Sequence, residues 1–562
     1  MSKVRKYKTK TKSPALELFA ENLEDELRDK NRKISNDEIE FYQNYSTSQL
    51  TLQQFLQIQD LNLDIGFISD VPIDLQLNNA LENNVNNLFS TDFYNSLNDI
   101  ELSTIDYKTF HNHFSFNNSI DLSFNQEESS IIPPDNVKSF PYSDKNLRSG
   151  LVYNTGGFPL QLEWLPFSIN NKKFLFIVTI DKNPNIDISE FSKNSCCLTI
   201  LEYNNDSFEI NKKIIIDNLI KEIEFSMISN DKNETLMKLT LSNGSVEIWK
   251  INESFLLSNN SKYYKLLSGS QKIIINNDKS IKITTSTFVT PKIIIFGTNH
   301  GLIGQYSILE NKINYLISTK LPSITCIKST YPTNETDDSI NLLVSTTDFI
   351  DYMINLPLTI NNKKIPLMNR LKIYRSSVMN RELIFDRSCT YINSLKTFFS
   401  IEWPCSIKSY TIKDPKGSNK YRISIDREIS CLTNLKSFKN NILNNGFTLI
   451  TGHTNGVIRL CNFIEMSRIT DSKQYPYSIQ LFQMKKSNLQ NNNNNKFFIN
   501  LNYSVDKNGD VSIKDKLKKD KLANNTHLVN SNDICPIKIS SINKSIASAW
   551  GNGLIIIEDL II

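Results

Sequence analysis

From about residue 150 onward, apolar residues fall in short blocks of Ile, Val, Phe, Tyr and Thr, each bounded by Asn, Asp, Gly or Ser. Helical periodicity is nearly absent, so the blocks predict short β-strands. One pattern recurs: an apolar strand, a tight polar turn, a second apolar strand. It runs over Leu236–Trp249, Ile293–Tyr306, Leu342–Met353, Phe398–Tyr410, Thr448–Leu460 and Ile546–Leu560. Aligned on their turns, at Gly244, Gly301, Phe349, Ser406, Gly456 and Gly553, the copies lie 57, 48, 57, 50 and 97 residues apart. The last interval is close to double and holds a low-complexity insertion around residues 466–530, with Asn491–Asn495 inside it. Asn-Gly at three of the turns supplies the positive φ that a tight hairpin needs. An earlier unit, Phe174–Ile180 with Leu198–Tyr203, brings the count to about seven. Units of four strands at intervals of about 40–60 residues have the spacing of propeller blades. The expected fold is therefore all-β, a propeller of about seven blades over residues 150–562, closed by pairing a strand from one end of the sequence into a blade begun at the other. Two β-sandwiches would also give regular strands, but the repeat spacing favours the ring.

The front of the chain reads differently. Residues 1–12 are a basic tail, with Lys3, Arg5, Lys6, Lys8, Lys10 and Lys12. After Pro14, Leu16, Phe19, Leu23 and Leu27 fall at helical spacing and predict one short amphipathic helix. Between Ile34 and Tyr107 there is no Lys or Arg, while twelve acidic residues sit among Leu, Ile and Phe. Such a segment is expected to be disordered and to offer short motifs to partners. Pro133-Pro134 reads as part of a linker, which makes residues 1–140 a mostly disordered region and starts the folded body near Gly150. Charge divides at the same place. Residues 1–150 carry fourteen basic and twenty-three acidic side chains, and the remainder carries a net excess of thirteen positive charges. An acidic front on a basic body implies two regions with different work.

Composition narrows the class. The longest apolar runs, such as Leu175–Ile180 and Leu554–Ile557, fall far short of the ~18 residues a membrane helix needs. The basic N-terminus has no apolar core of a secretory signal, so neither a membrane nor a secreted protein is expected. The eight cysteines include no C-x-x-C pair and form no zinc signature with the five histidines. Most lie beside Ile, Leu or Val as small core hydrophobes, which points to a reducing compartment. Nucleotide-binding and metalloprotease motifs are absent. Gly297, Gly301 and Gly304 have the wrong spacing for a dinucleotide loop and read as a blade turn. Asp506–Asp510 resembles a calcium loop only in part, since its Gly is misplaced and no Glu follows at the twelfth position. His111 and His113 are the one close histidine pair, in the segment expected to be disordered. No nucleophile, base and metal set assembles, so no enzyme activity, metal or cofactor is expected.

Two stretches, Asn243–Trp249 and His453–Arg459, resemble the ending of a WD40 blade, although Asp is missing from most turns and the usual Gly-His pair from the blade starts. The expected propeller is thus a divergent, WD40-like one. Asn154-Thr-Gly-Gly-Phe-Pro-Leu-Gln-Leu-Glu-Trp-Leu-Pro166 and Ala549-Trp-Gly-Asn-Gly-Leu-Ile-Ile-Ile-Glu-Asp-Leu560 resemble, more specifically, the WD40 subunit of the RNA polymerase III transcription factor TFIIIC, the yeast tau subunit of the box B-binding half. Those proteins share the layout of a polar front and one C-terminal propeller. Residues Lys3–Lys12 depart from the family in lacking an Arg-Gly-Arg-Pro hook. The resemblance implies a non-catalytic nuclear scaffold that binds other TFIIIC subunits, the large box B-binding subunit above all. It would support recognition of the internal promoters of transfer RNA genes, with no membrane partner. The alternative is a WD40 scaffold of another intracellular complex, such as a chromatin complex, a vesicle coat or a ubiquitin ligase; the basic body favours the first. Candidate contacts to nucleic acid or to an acidic partner are Lys363, Lys364, Arg370, Lys372 and Arg375. These five cations have no acid among them, and Pro366 and the flanking Asn residues predict an exposed loop.

Overall fold

The structure is a computed structural model. It describes residues 92–124, 129–141, 148–181, 195–204, 207–226, 233–258, 261–275, 280–330, 339–348, 350–358, 370–375, 389–392, 397–402, 406–412, 419–422, 429–439, 442–462, 478–486, 496–501, 504–506, 533–542 and 545–560. The basic tail and the expected amphipathic helix lie outside these residues, as does most of the Ile34–Tyr107 stretch.

Strands dominate, and they sort into seven sheets. Each sheet has a core of four antiparallel strands and forms one blade. The innermost strands, from blade 1 to blade 7, are Phe158–Trp164, Ile220–Phe225, Ile283–Thr290, Ile324–Ser329, Cys389–Ile392, Ile429–Lys439 and Pro536–Ile542. Each packs against the next, and the strand of blade 7 packs against that of blade 1, so the ring closes. Apolar side chains on both faces of each blade make this possible. In blade 1, Phe174, Phe176 and Val178 enter the cluster shared with blade 2, while Leu175 and Ile177 enter the cluster shared with blade 7. That two-sided burial explains the unbroken apolar runs in the sequence.

The repeating pattern marks one position of every blade, the hairpin between the second and third strands. Gly244, Gly301, Gly456 and Gly553 all sit there at positive φ. At Gly456 a Cβ would come within 2.1 Å of the Met484 carbonyl oxygen, so the turn accepts no larger residue without moving the neighbouring strand. Gly297–Gly301 is indeed such a turn, in blade 3.

Blade 7 takes its fourth strand from far away in the sequence. Leu554–Leu560 pairs antiparallel with Arg148–Asn154, from Leu554 opposite Asn154 to Leu560 opposite Arg148. Ile555 and Ile557 face blade 1, and Leu554 and Ile556 face blade 6.

Two boundaries differ from the sequence expectation. Residues 92–124 and 129–141 are built structure, not part of a disordered region. A turn of 3-10 helix, Asp92–Ser96, buries Tyr94 between blades 2 and 3. Glu101–Thr104 adds a strand to blade 1 through Tyr263–Ser268. The helix Tyr107–His113, capped by Asp106, buries Phe110. Ile120–Phe124 runs parallel to Lys496–Asn500 and extends blade 6, and Val137–Ser139 adds to blade 7. This belt crosses the outside of the ring over its closure. Its Ile120-Asp-Leu-Ser-Phe124 alternation and its aromatic residues outweigh the acidic charge that argued for disorder. The stretch 466–530 is likewise not wholly an insertion, since Ser478–Lys486 is the fourth strand of blade 6. Among the described residues no helix is long and apolar enough to cross a membrane.

Candidate functional site

The five candidate cations do not form a single loop. Arg370–Arg375 is the outermost strand of blade 4, with Arg370 opposite Ile354, Lys372 opposite Tyr352 and Arg375 opposite Ile350. The alternation Arg-Leu-Lys-Ile over 370–373 is a strand pattern that the reading as a loop passed over. Lys363 and Lys364 lie outside the described residues. The structure thus places three of the five on one blade edge.

Some of the ring's charged residues join blades. On the inner strand of blade 2, Glu222 accepts hydrogen bonds from the Thr285 hydroxyl at 2.7 Å, the Ser286 amide at 3.1 Å and the Thr240 hydroxyl at 3.1 Å. Glu224 lies 3.1 Å from buried Lys238 and 3.7 Å from Lys328 of blade 4, and accepts from Thr287 at 3.1 Å. Burial alone would push the Glu224 carboxyl up, but Lys328 and Lys238 outweigh it and hold the carboxyl below its usual range. A carboxylate so neutralised ties blades 2, 3 and 4 together and is not poised as a general acid.

At the closure, Asp559 on the last strand accepts from Tyr203 of blade 1 at 2.6 Å and pairs with Lys173 at 3.3 Å. Outside it, the belt is latched by Asp135, which sits at positive φ in the turn after Pro134. Lys213 reaches its two oxygens at 2.6 and 2.7 Å, and the Tyr153 hydroxyl donates at 2.9 Å. Lys213 is buried and its ammonium stands over the rings of Phe110 and Phe116. Close by, burial and the Lys213 charge push the His111 imidazole down, with Asp135 opposing.

His111 and His113 are two residues apart on a helix, a spacing that turns them away from each other. His111 packs on Tyr107 and Tyr263, and His113 Nε2 lies 2.8 Å from Ser195 Oγ of blade 1. They hold the belt down and do not converge on a metal. Among the described residues no three His, Cys, Asp or Glu side chains cluster as metal ligands. Asp506 ends a strand, and the rest of the calcium-like loop lies outside the described residues.

The latch escaped sequence reasoning because Asp135 and Lys213 are remote in the chain. One signal was available: Lys212-Lys213 inside an apolar strand predicts two cations that need partners.

No protein-family model matches the chain, and no curated protein matches it. Among solved structures, the chain is similar to the crystal structure of the computationally designed protein Ika8, at 11% identity over 71% of this chain and 96% of that one, with a TM-score of 0.36. The class follows from the closed ring of seven sheets itself: this is a β-propeller.

Proposed function

We propose that the protein is a non-catalytic docking subunit of a nuclear assembly, and that the assembly is TFIIIC. The ring serves as a rigid disc for other subunits, the large box B-binding subunit foremost, and promoter DNA is engaged through the complex. One observation carries the reading. The two segments that resemble the TFIIIC subunit, Asn154–Pro166 and Ala549–Leu560, are far apart in sequence yet adjoin at the ring closure. Asn154 pairs with Leu554, and the Thr155 amide and hydroxyl both donate to the Gly553 carbonyl, at 3.1 and 2.8 Å. A shared closure is what one family of rings would keep in common. In this reading Arg370, Lys372 and Arg375, with Lys363 and Lys364, meet phosphates or an acidic partner segment and position the complex without reading bases.

The test is to tag the full chain in its own cells, locate it, and identify what purifies with it. The reading expects nuclear protein in stoichiometric complex with TFIIIC subunits. Recovery with vesicle-coat or ubiquitin-ligase subunits, or cytoplasmic protein without TFIIIC, overturns it.

A further inference from the structure

Cys326 lies on the inner strand of blade 4, and Cys389 opens the inner strand of blade 5. Their sulfurs are 3.8 Å apart and both side chains are buried. They belong to the apolar cluster that fills this seam, with Leu343, Met353, Tyr391, Phe398 and Tyr410. Packing alone needs only a small apolar side chain at each position, whereas two sulfurs in contact across a seam bring a chemistry of their own. A disulfide holds its sulfurs at about 2.05 Å, so the pair has to close by about 1.8 Å.

We propose that Cys326 and Cys389, free thiols under reducing conditions, form a disulfide under oxidative load that staples blade 4 to blade 5, made by exchange with a low-molecular-weight disulfide such as oxidised glutathione. One cysteine thiolate attacks a sulfur of the small disulfide, breaks its S–S bond and releases one small thiolate. The thiolate of the second cysteine attacks the protein sulfur of the mixed disulfide, forms the Sγ–Sγ bond and releases the other. The two cysteines give up two electrons and two protons, and the small disulfide takes up both and leaves as two thiols. Because both thiols are buried, attack waits on opening of the seam, and the reaction reports that opening.

The other cysteines are placed differently. Cys431 and Cys535 meet at the seam of blades 6 and 7, but both sulfurs donate to the Pro536 carbonyl, at 3.5 and 3.6 Å. Burial also pushes the Cys431 thiol up to about 12, which leaves little thiolate. Cys196 and Cys197 are adjacent on one strand and face opposite sides of it. Cys461 is buried in blade 6 with its sulfur 4.0 Å from the Thr451 hydroxyl, and Cys405 lies outside the described residues.

The folded full-length chain is incubated at neutral pH with oxidised glutathione, alkylated, digested without reduction and mapped by mass spectrometry. The expected product is one linked peptide pair joining Cys326 to Cys389, about 2 Da lighter than the two reduced peptides. The melting temperature should rise by several degrees and fall back on adding dithiothreitol. In Cys389→Ala the glutathione adduct should stay trapped on Cys326; if that variant does not fold, the wild-type map decides alone. A link between any other pair in its place overturns the proposal. So do stable glutathione adducts at both positions without a link, or no reaction at either while the urea-unfolded chain oxidises.

Discussion

Where blade 7 meets blade 1, the ring is held by a strand drawn from a distant part of the chain, a carboxylate clamp at Asp559 and a belt laid across the outside. Where blade 4 meets blade 5, the described contacts are a compact apolar cluster and Asp351, which accepts from Ser345 at 2.6 Å and from Ser400 and Tyr410 at 3.4 Å. The contrast has a physical origin. Blades 4 and 5 are consecutive in the chain, so their association closes a short loop. The strands that complete blade 7 are separated by nearly the whole ring, and the entropy of bringing them together is repaid by contacts alone. Among the described residues, the added strand, the Asp559 clamp and the belt sit where the covalent chain contributes least.

The strongest way to break that contrast is to remove the closing strand. A fragment ending at residue 545 loses Leu554, Ile555, Ile556 and Ile557, all fully buried, and leaves the Arg148–Asn154 edge unpaired. Insoluble protein is expected. A soluble 1–545 fragment with a cooperative melt would refute closure by this strand. Removing the belt comes next. A fragment beginning at residue 92 should melt like the full chain. One beginning at 142 loses buried Tyr94, Phe110, Phe114, Phe116, Ile120, Leu122 and Phe124. At about 1.5–3 kcal/mol for each large apolar side chain, that exceeds what most domains have to spare. Equal melting temperatures for the two fragments would mean that the belt merely rests on the ring.

The latch offers a finer cut. Asp135→Ala leaves Lys213 buried with no carboxylate, at a cost of about 3 kcal/mol in urea unfolding. Lys213→Met should cost less, because Asp135 is about a quarter exposed and can turn to water. Asp135→Ala combined with Lys213→Met should recover most of the loss. If Asp135→Ala melts like wild type, the ion pair does not hold the belt.

The ring was legible in the chain and the belt was not, for reasons visible in particular residues. Asn-Gly turns at 243–244, 455–456 and 552–553 repeat at one position of the blade, so local chemistry announced a global period. Phe110, Phe114 and Phe116 belong to no repeat. Their meaning depends on Cys197 and Ile215, with which they pack, in a distant strand. Arg370–Arg375 failed for the opposite reason. Its strand alternation is present locally, but nearby Pro366 and the flanking Asn residues suggested a loop.

The smallest expected effect separates the two buried lysines of blade 1, which are neighbours in sequence. Lys213 has its carboxylate. Lys212 has the Ser258 carbonyl as acceptor and the rings of Phe255 and Tyr264 beside it. Burial pushes its ammonium down to about 8. Below pH 8 folded and unfolded chains both hold the proton, and the folded state bears the full penalty of a buried charge. Between about 8 and the ordinary lysine value near 10.5, the unfolded chain binds more protons, so stability rises with pH through this window. Cys197 and Cys431, pushed up to about 11 and about 12 by burial, act in the opposite direction, because only the unfolded chain ionises these thiols near pH 9. Wild-type stability alone therefore mixes the two. The difference between Lys212→Met and wild type cancels the cysteine contribution. The variant should be the more stable below pH 8, and its advantage should shrink as pH rises to 10.5, by at most about 1.4 kcal/mol per pH unit for the single proton involved. Urea unfolding at pH 7, 8, 9 and 10 reads this directly. A difference that does not change with pH would show that burial does not depress the Lys212 ammonium.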